Sequence, residues 1–274
     1  MSKKILTVQD ISCYGQCSIT VALPILSHYG IETAILPSAV LSTHTSGFTN
    51  FTVHDLTDEM PKIINHWIDE NIRFDAIYTG YIGNKVQFDY ILDNKDRLLN
   101  EGGLFIVDPA MADNGKMYYG LDEFIVLGMK KMCMQADYIL PNITEACFLT
   151  GIEYKEEKDR DDEYFNLLLQ KLYELGAKHV ILTGVTDGDS IGAIAFDGIT
   201  RTTVLKEKVE PSYHGTGDIF SSVIIADILN KKSIKETLHH ATDFIVDSIV
   251  KTANDNTHNY GVKFEEVLKD EIDY

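Results

Sequence analysis

Short apolar runs alternate along the chain with longer stretches in which apolar residues recur every three to four positions. Lys4 to Val8 reads as a strand, and Ser18 to Tyr29 as a helix closed by Gly30. Ile31 to Leu36 predicts the next strand, Asp58 to Asn71 a helix, Phe74 to Thr79 a strand, and Val86 to Asn100 a helix ended by Gly102-Gly103. Leu104 to Val107, Tyr138 to Leu140 and Val180 to Leu182 supply three more buried strands, with helices near Leu121 to Met134, Thr144 to Leu149 and Asp162 to Leu175. After Thr183 the pattern changes: Ser190 to Phe196 and Thr200 to Leu205 flank Asp197-Gly198, a strong hairpin signal. Helices near Asp218 to Asn230, Ser233 to Thr252 and Lys263 to Lys269 complete the chain. Repeated strand–helix units of this kind predict an α/β fold, a mostly parallel central sheet with helices on both faces and an antiparallel edge hairpin. No long linker, internal repeat or low-complexity tract interrupts residues 1–274, which read as one domain, and the charged cluster from Glu153 to Glu163 reads as a solvated loop entering a helix.

Composition narrows the function classes. With 24 Lys+Arg against 42 Asp+Glu the formal charge is −18, and no window offers the dense basic face that non-specific nucleic-acid binding requires. No apolar run approaches the roughly 20 residues needed to span a bilayer, and the start Met1-Ser2-Lys3-Lys4 leads into a strand and not a signal peptide, so a soluble cytoplasmic protein is expected. Cys13, Cys17, Cys133 and Cys147 include no Cys-x-x-Cys pair and read as reduced packing residues.

Ligands of open parallel sheets bind outside the carboxyl ends of the strands, so polar residues that follow apolar runs are the candidates for chemistry. Gly215-Thr216-Gly217-Asp218 leads directly into the apolar helical run Ile219 to Leu229. Two glycines let the backbone approach a ligand closely, and a helix start offers unpaired N–H groups and a positive dipole end to a phosphoryl group. Asp218 is placed to take a proton from an attacking hydroxyl; the same residues also suit a plain turn in which Asp218 only caps the helix. Asp108, with Asp113 five residues on, and Asn142 with Glu145 follow two different strands, positions suited to Mg²⁺, although Glu145 equally suits first-turn capping. A hydroxyl-rich stretch, Leu41-Ser42-Thr43-His44-Thr45-Ser46-Gly47-Phe48, stands about ten residues beyond the second predicted strand and is suited to line a small-molecule pocket with Asp10 and Tyr81, though it equally suits a plain turn with His44 at the surface. There is no Gly-x-x-x-x-Gly-Lys-Ser/Thr run, and the segment after the first strand carries one glycine where a dinucleotide fold needs three.

Taken in order, Val8-Gln9-Asp10 with Tyr14-Gly15, Ser42-Thr43-His44-Thr45, Thr79-Gly80-Tyr81, Val107-Asp108-Pro109, Leu140-Pro141-Asn142 with Glu145, and Gly215-Thr216-Gly217-Asp218 resemble the pyridoxal kinases of the ribokinase superfamily, over about residues 5 to 250. The resemblance implies a ribokinase-like three-layer fold and ATP-dependent phosphorylation of the 5′-hydroxyl of pyridoxal, pyridoxamine or pyridoxine. It implies Asp218 as catalytic base, with Gly215, Thr216 and Gly217 as an anion hole. Asp108 and Glu145 fall around Mg²⁺ and the ATP phosphates, joined by Asp113 and Asn142, with Thr183 and Gly184 at the nucleotide. Thr45 and Ser46 match vitamer contacts, Tyr81 falls near the same pocket, and Tyr118 lies in a segment that resembles a mobile flap. A homodimer is likewise implied. Two departures stand out. Asp10 occupies a position where many pyridoxal kinases carry serine, and a carboxylate there favours a cationic vitamer. His214 makes the string similar to hydroxymethylpyrimidine kinases of thiamine synthesis, which typically place cysteine where this chain has Asp218. A pyrimidine kinase is therefore the second expectation, a sugar kinase of the same superfamily the third, and a non-catalytic vitamer-binding protein the rival of another class.

Overall fold

The structure, a computed structural model, describes residues 2–45, 47–253, 255, 258 and 260–272. In chain order the elements are β1 (Lys4–Ser12), α1 (Ile19–His28), β2 (Glu32–Leu41), β3 (Val53–Asp55), α2 (Met60–Asp69), β4 (Phe74–Thr79), α3 (Lys85–Leu98), β5 (Leu99–Val107), β6 (Ala112–Asp113), β7 (Lys116–Met117), α4 (Glu123–Cys133), β8 (Tyr138–Ile139), α5 (Ile143–Thr150), α6 (Asp162–Glu174), β9 (His179–Asp187), β10 (Ser190–Phe196), β11 (Arg201–Glu207), α7 (Thr216–Leu229), α8 (Ile234–Ala253) and α9 (Phe264–Ile272). Among the described residues one sheet has the order β11-β10-β9-β8-β5-β4-β1-β2-β3, and β6 and β7 form a separate two-stranded ribbon. Strands β9, β8, β5, β4, β1 and β2 run parallel, while β10, β11 and β3 are antiparallel to their neighbours.

Side chains alternate across this sheet and divide the core in two. Leu6, Val8, Ile77, Phe105 and Val107 pack with Met60 and Ile64 of α2, Phe88 of α3, Met129 of α4 and Leu168 of α6. Ile5, Ala76, Tyr78 and Ile106 face the other way, against Val21 and Ile25 of α1, Ile219 to Ala226 of α7, Leu238 and Phe244 of α8, and Phe264 of α9. The result is the expected three-layer α/β arrangement. Helix α7 is flanked by α1 and α8 in the helical layer on this face of the sheet, which explains why its sequence is apolar nearly all round: Ile219, Val223, Ile224, Ile225 and Ala226 are all fully buried.

Several boundaries differ from the sequence expectation for identifiable reasons. Strands β1 and β2 continue past their apolar runs through Gln9-Asp10 and Pro37-Ser38, because the ladder between them, shifted once between Gln9 and Ile11, supplies backbone hydrogen bonds whatever the side chains. The hydroxyl-rich stretch therefore starts at the very end of β2 and not ten residues beyond a strand. Strand β9 runs on to Asp187 and turns into β10, so two hairpins close this edge instead of one. The short strands β3, β6 and β7 carry too few residues for a periodicity. The turn joining β6 and β7 was nevertheless readable: Asn114 and Gly115 take φ of 50° and 73°, the two positive values that an Asn-Gly hairpin turn favours.

Candidate active site

The strand order reverses at β1, whose neighbours are β2 on one side and β4 on the other. A cavity of about 580 Å³ opens there, at the carboxyl ends of the parallel strands. Its walls include Asp10, Thr45 and Tyr81; Asp108, Asp113, Asn142 and Glu145; Thr183 and Gly184; and Gly215, Thr216, Gly217 and Asp218. The sequence places these residues in seven separate segments, and the fold brings them into one space. Tyr118, His44 and His214 line it as well. Ser46, expected beside Thr45, lies outside the described residues.

Helix α7 begins at Thr216, with Gly215 as the residue before it, at φ 83° and ψ −5°. Asp218 is thus inside the first turn and is not the helix cap. No side chain caps this helix, so its leading N–H groups face the cavity without intrahelical acceptors. Gly215 is required on two counts: its φ is left-handed, and a Cβ there would overlap the carbonyl oxygen of Gln16. The Asp218 carboxylate is fixed from the β1–α1 connection, where the backbone N–H of Ser18 donates to Oδ2 at 2.9 Å. Burial pushes the Asp218 carboxyl up to about 6; the Ser18 amide opposes the rise and the charge of Asp10 adds to it.

Asp108 stands one residue beyond β5 and accepts from Ser221 Oγ on α7 through Oδ2 at 2.6 Å. Burial first, and the charge of Asp218 second, raise it to about 7. Glu145 lies in the first turn of α5, 2% exposed, and is raised by burial and by Asp108. Both of its oxygens are engaged: Oε2 accepts from the Asn142 N–H at 2.8 Å and Oε1 from the Met111 N–H at 3.1 Å. Asn142 Oδ1 accepts from the Glu145 N–H at 2.9 Å, completing a capping box, and its Nδ2 donates to Ala112 O at 2.8 Å. The capping alternative is therefore realised for Glu145, and the same pair anchors the β6–β7 ribbon that carries Asp113. Among the described residues no three His, Cys, Asp or Glu side chains are grouped to enclose a metal ion. The donor set nevertheless suits Mg²⁺, which typically takes one or two carboxylates and completes its shell with phosphate oxygens and water. Glu145, buried and raised further by the charge of Asp108, and Asp108, likewise buried and raised further by that of Asp218, would both be relieved by a bound cation.

Asp10, on the wall beside Ser18, is 4% exposed and accepts from Ser12 Oγ at 2.9 Å. Burial raises its pKa, and hydrogen bonds from Ser18 and Ser12 oppose the rise; no basic side chain contributes. Tyr81 follows β4 across the switch point, its phenol pushed up to about 12 by burial and by Asp10 and Asp55, so its hydroxyl remains a donor. Burial holds His44 below the usual histidine range, so its ring is neutral at pH 7. The glycine of Tyr14-Gly15 makes room for that ring, since a Cβ on Gly15 would overlap it.

Sequence reasoning missed the other side of this site. Ser12, Gln16, Cys17, Ser18 and Ser221 also line the cavity, as do Lys208, Tyr213 and Thr242. Ser18 was legible only as the start of a helix, yet it holds φ 50° and ψ −131°, a conformation costly for a residue with a Cβ, while its amide reaches Asp218. Ser221 follows Asp218 by three residues, the helical spacing that puts both on one face, and that spacing was the signal available for it.

The family model for phosphomethylpyrimidine kinase matches residues 23–263 of the chain. Among solved structures, a Bacteroides thetaiotaomicron protein assigned as a phosphomethylpyrimidine kinase and crystallised with pyridoxal is 36% identical, with a TM-score of 0.91 over 98% of this chain and 96% of that one. The pyridoxal kinase of Lactobacillus plantarum is 31% identical, with a TM-score of 0.89 over 97% of this chain and 95% of its own. The pyridoxal kinase of Dictyostelium discoideum is 27% identical over 243 residues, 82% of this chain and 78% of that protein.

Proposed function

The chain belongs to the phosphomethylpyrimidine kinase family, and from that membership and the geometry of the cavity we propose that it phosphorylates the 5′-hydroxyl of a B6 vitamer with ATP. The observation that carries the reading is that the uncapped start of α7, the acidic strand ends at Asp108 and Glu145, and the Asp10–Tyr81 end share one cavity at the switch point. The pyridoxal-bound Bacteroides relative supports the choice of vitamer over sugar.

In this reaction Asp218 takes the proton of the vitamer hydroxyl, and the oxygen so exposed bonds to the γ-phosphorus of ATP as the bond from that phosphorus to the bridging oxygen breaks, releasing ADP. Asp218 is suited to this role because at about 6 its carboxyl is mostly ionised at neutral pH yet more basic than an ordinary aspartate. The amides around Gly215 to Gly217 face the equatorial oxygens over which charge spreads during transfer. Thr183 and Gly184 line the side assigned to the nucleotide, and Asp113 of the β6–β7 ribbon and Tyr118 after it line the same cavity. Asp108 and Glu145 would hold Mg²⁺, which when bound withdraws charge from the phosphate oxygens. Ser221 orients Asp108 for that purpose.

Thr45, Tyr81 and Asp10 surround the vitamer ring, and the resemblance adds Ser46 to them. Among the described residues no basic side chain acts on Asp10, so it selects a ligand that brings its own positive charge, either a protonated ring nitrogen or the ammonium group of pyridoxamine. The cytoplasmic location and homodimer implied by the resemblance belong to the same reading; among the described residues no helix is long and apolar enough to cross a membrane. The test is a substrate panel with Mg-ATP covering pyridoxal, pyridoxamine, pyridoxine and hydroxymethylpyrimidine. Vitamer-dependent ADP release is expected. Turnover with the pyrimidine alone would replace this reading by that of a thiamine-pathway kinase, and ATP consumption indifferent to every acceptor would leave only a binding protein.

A further inference from the structure

Gln16 is attached to the C-terminal segment by every polar group it has outside its carbonyl. Its backbone N–H donates to Tyr260 O at 2.9 Å, and its Nε2 reaches Glu265 Oε1 and Oε2 at 2.7 and 2.9 Å. His258 Nε2 lies 2.9 Å from its Oε1. Glu265 belongs to the first turn of α9, 249 positions away in sequence, and Gly261, at φ 146°, lies so close that a Cβ there would stand 2.5 Å from the Cβ of Gln16. The carbonyl of Gln16 in turn packs on Gly215, leaving no room for a side chain on that residue. Two residues on, the Ser18 amide holds Asp218 in a backbone conformation that a serine does not adopt unaided. The residues that begin and end this strip therefore touch the two functional ends of the α7 turn, and what keeps the strip in place is the start of α9.

We propose that Gln16, braced by Glu265, is a positioning residue for phosphoryl transfer: it sets the strip 16–18 against which Gly215 packs and from which Asp218 is aimed. The proposal rests on the kinase reading above for its kinetic consequence but not for its structural one. Gln16→Glu opposes two carboxylates, whereas Gln16→Glu combined with Glu265→Gln exchanges the two groups, putting an amide N–H donor against a carboxylate again and keeping an acceptor for His258. With a turned-over vitamer as substrate, the single variant is expected to lower kcat roughly ten- to a hundredfold, the worth of a hydrogen bond to a charged group. KM for ATP and vitamer should stay within about twofold, since Gln16, though it lines the cavity, is not among the residues assigned to hold either substrate. The exchanged pair should recover to within about threefold of the parent kcat.

Hydrogen exchange of the parent and the two variants by mass spectrometry supplies a readout independent of activity. Amides in the peptides around residues 14–19 and 212–218 should exchange faster in Gln16→Glu and return to the parent rate in the exchanged pair. Unchanged kcat and exchange in Gln16→Glu would overturn the proposal, as would a loss of kcat that the exchanged pair does not recover while its melting temperature equals that of the parent. If the parent turns over no vitamer, the kinase reading fails by itself, and the exchange rates alone decide whether the brace exists.

Discussion

Ser18 donates its backbone amide to Asp218 Oδ2 across 2.9 Å, joining residues 200 positions apart at the entry of two different helices. A carboxylate held on one oxygen by a fixed donor keeps the other oxygen aimed at the cavity. Asp218→Asn retains the shape and removes the base. The expected outcome is a fall in kcat of roughly 10²–10⁴-fold, with KM for both substrates close to the parent value. Steady-state kinetics at saturating ATP check this, and turnover near that of the parent would exclude Asp218 from proton transfer.

The acid side of the pH profile follows from the same residue. Burial raises the Asp218 carboxyl to about 6 and Asp10 adds to the rise, so the base is lost to protonation as the pH falls through 6. A plot of log kcat/KM against pH should bend downward near that value. Asp10→Asn removes a neighbouring negative charge, makes ionisation easier, and should move the bend to lower pH. A bend that stays in place in the variant would show that Asp218 does not feel Asp10.

Vitamer preference depends on Asp10 by simple Coulomb attraction. With a buried carboxylate on which no basic side chain acts among the described residues, the parent should favour pyridoxamine over pyridoxal relative to an Asp10→Ser variant, with a change of about tenfold in the ratio of their kcat/KM values. Measuring both substrates in both proteins cancels any general loss of activity. An unchanged ratio would mean that the charge of Asp10 is not what the ring or amine meets.

Away from the cavity, α9 is held by an ion network that predicts the alkaline limit of stability. His240 Nδ1 lies 2.7 Å from Asp227 Oδ2, and its Nε2 3.1 Å from Glu271 Oε1. Burial pulls the imidazole down, but its bonds to Asp227 and Glu271 outweigh burial and raise it to about 9. Since the folded value exceeds the unfolded one near 6.5, this stabilisation is complete below about pH 6.5 and disappears as the pH rises through 9. The melting temperature should fall between pH 7 and pH 9.5 in the parent. His240→Ala should be less stable by about 1.5–3 kcal/mol at pH 7 and should lack that part of the pH dependence. Equal slopes in the two proteins would assign the alkaline loss to other groups.

The alternation of apolar runs determined the fold class, because burial of a parallel sheet on both faces strongly favours apolar residues in its strands, as at Ile77, Phe105 and Ile181, wherever their partners lie. The Gly-Thr-Gly-Asp turn and the strand-end carboxylates were legible for the same reason: they follow apolar runs, and strand ends are where a sheet of this kind meets its ligand. The division of labour among the carboxylates was not legible. Each oxygen of Glu145 accepts from a backbone amide, which fixes the lone pairs left over for a cation, whereas Asp218 and Asp108 each turn toward partners more than a hundred residues away, Ser18 and Ser221. Nor does any local pattern reveal that Gln16 meets Glu265. Periodicity reports which side of an element is buried, a property each segment carries alone; a hydrogen bond between distant segments exists only once the chain has closed, and the basicity of each acid is set by the neighbours that closure brings.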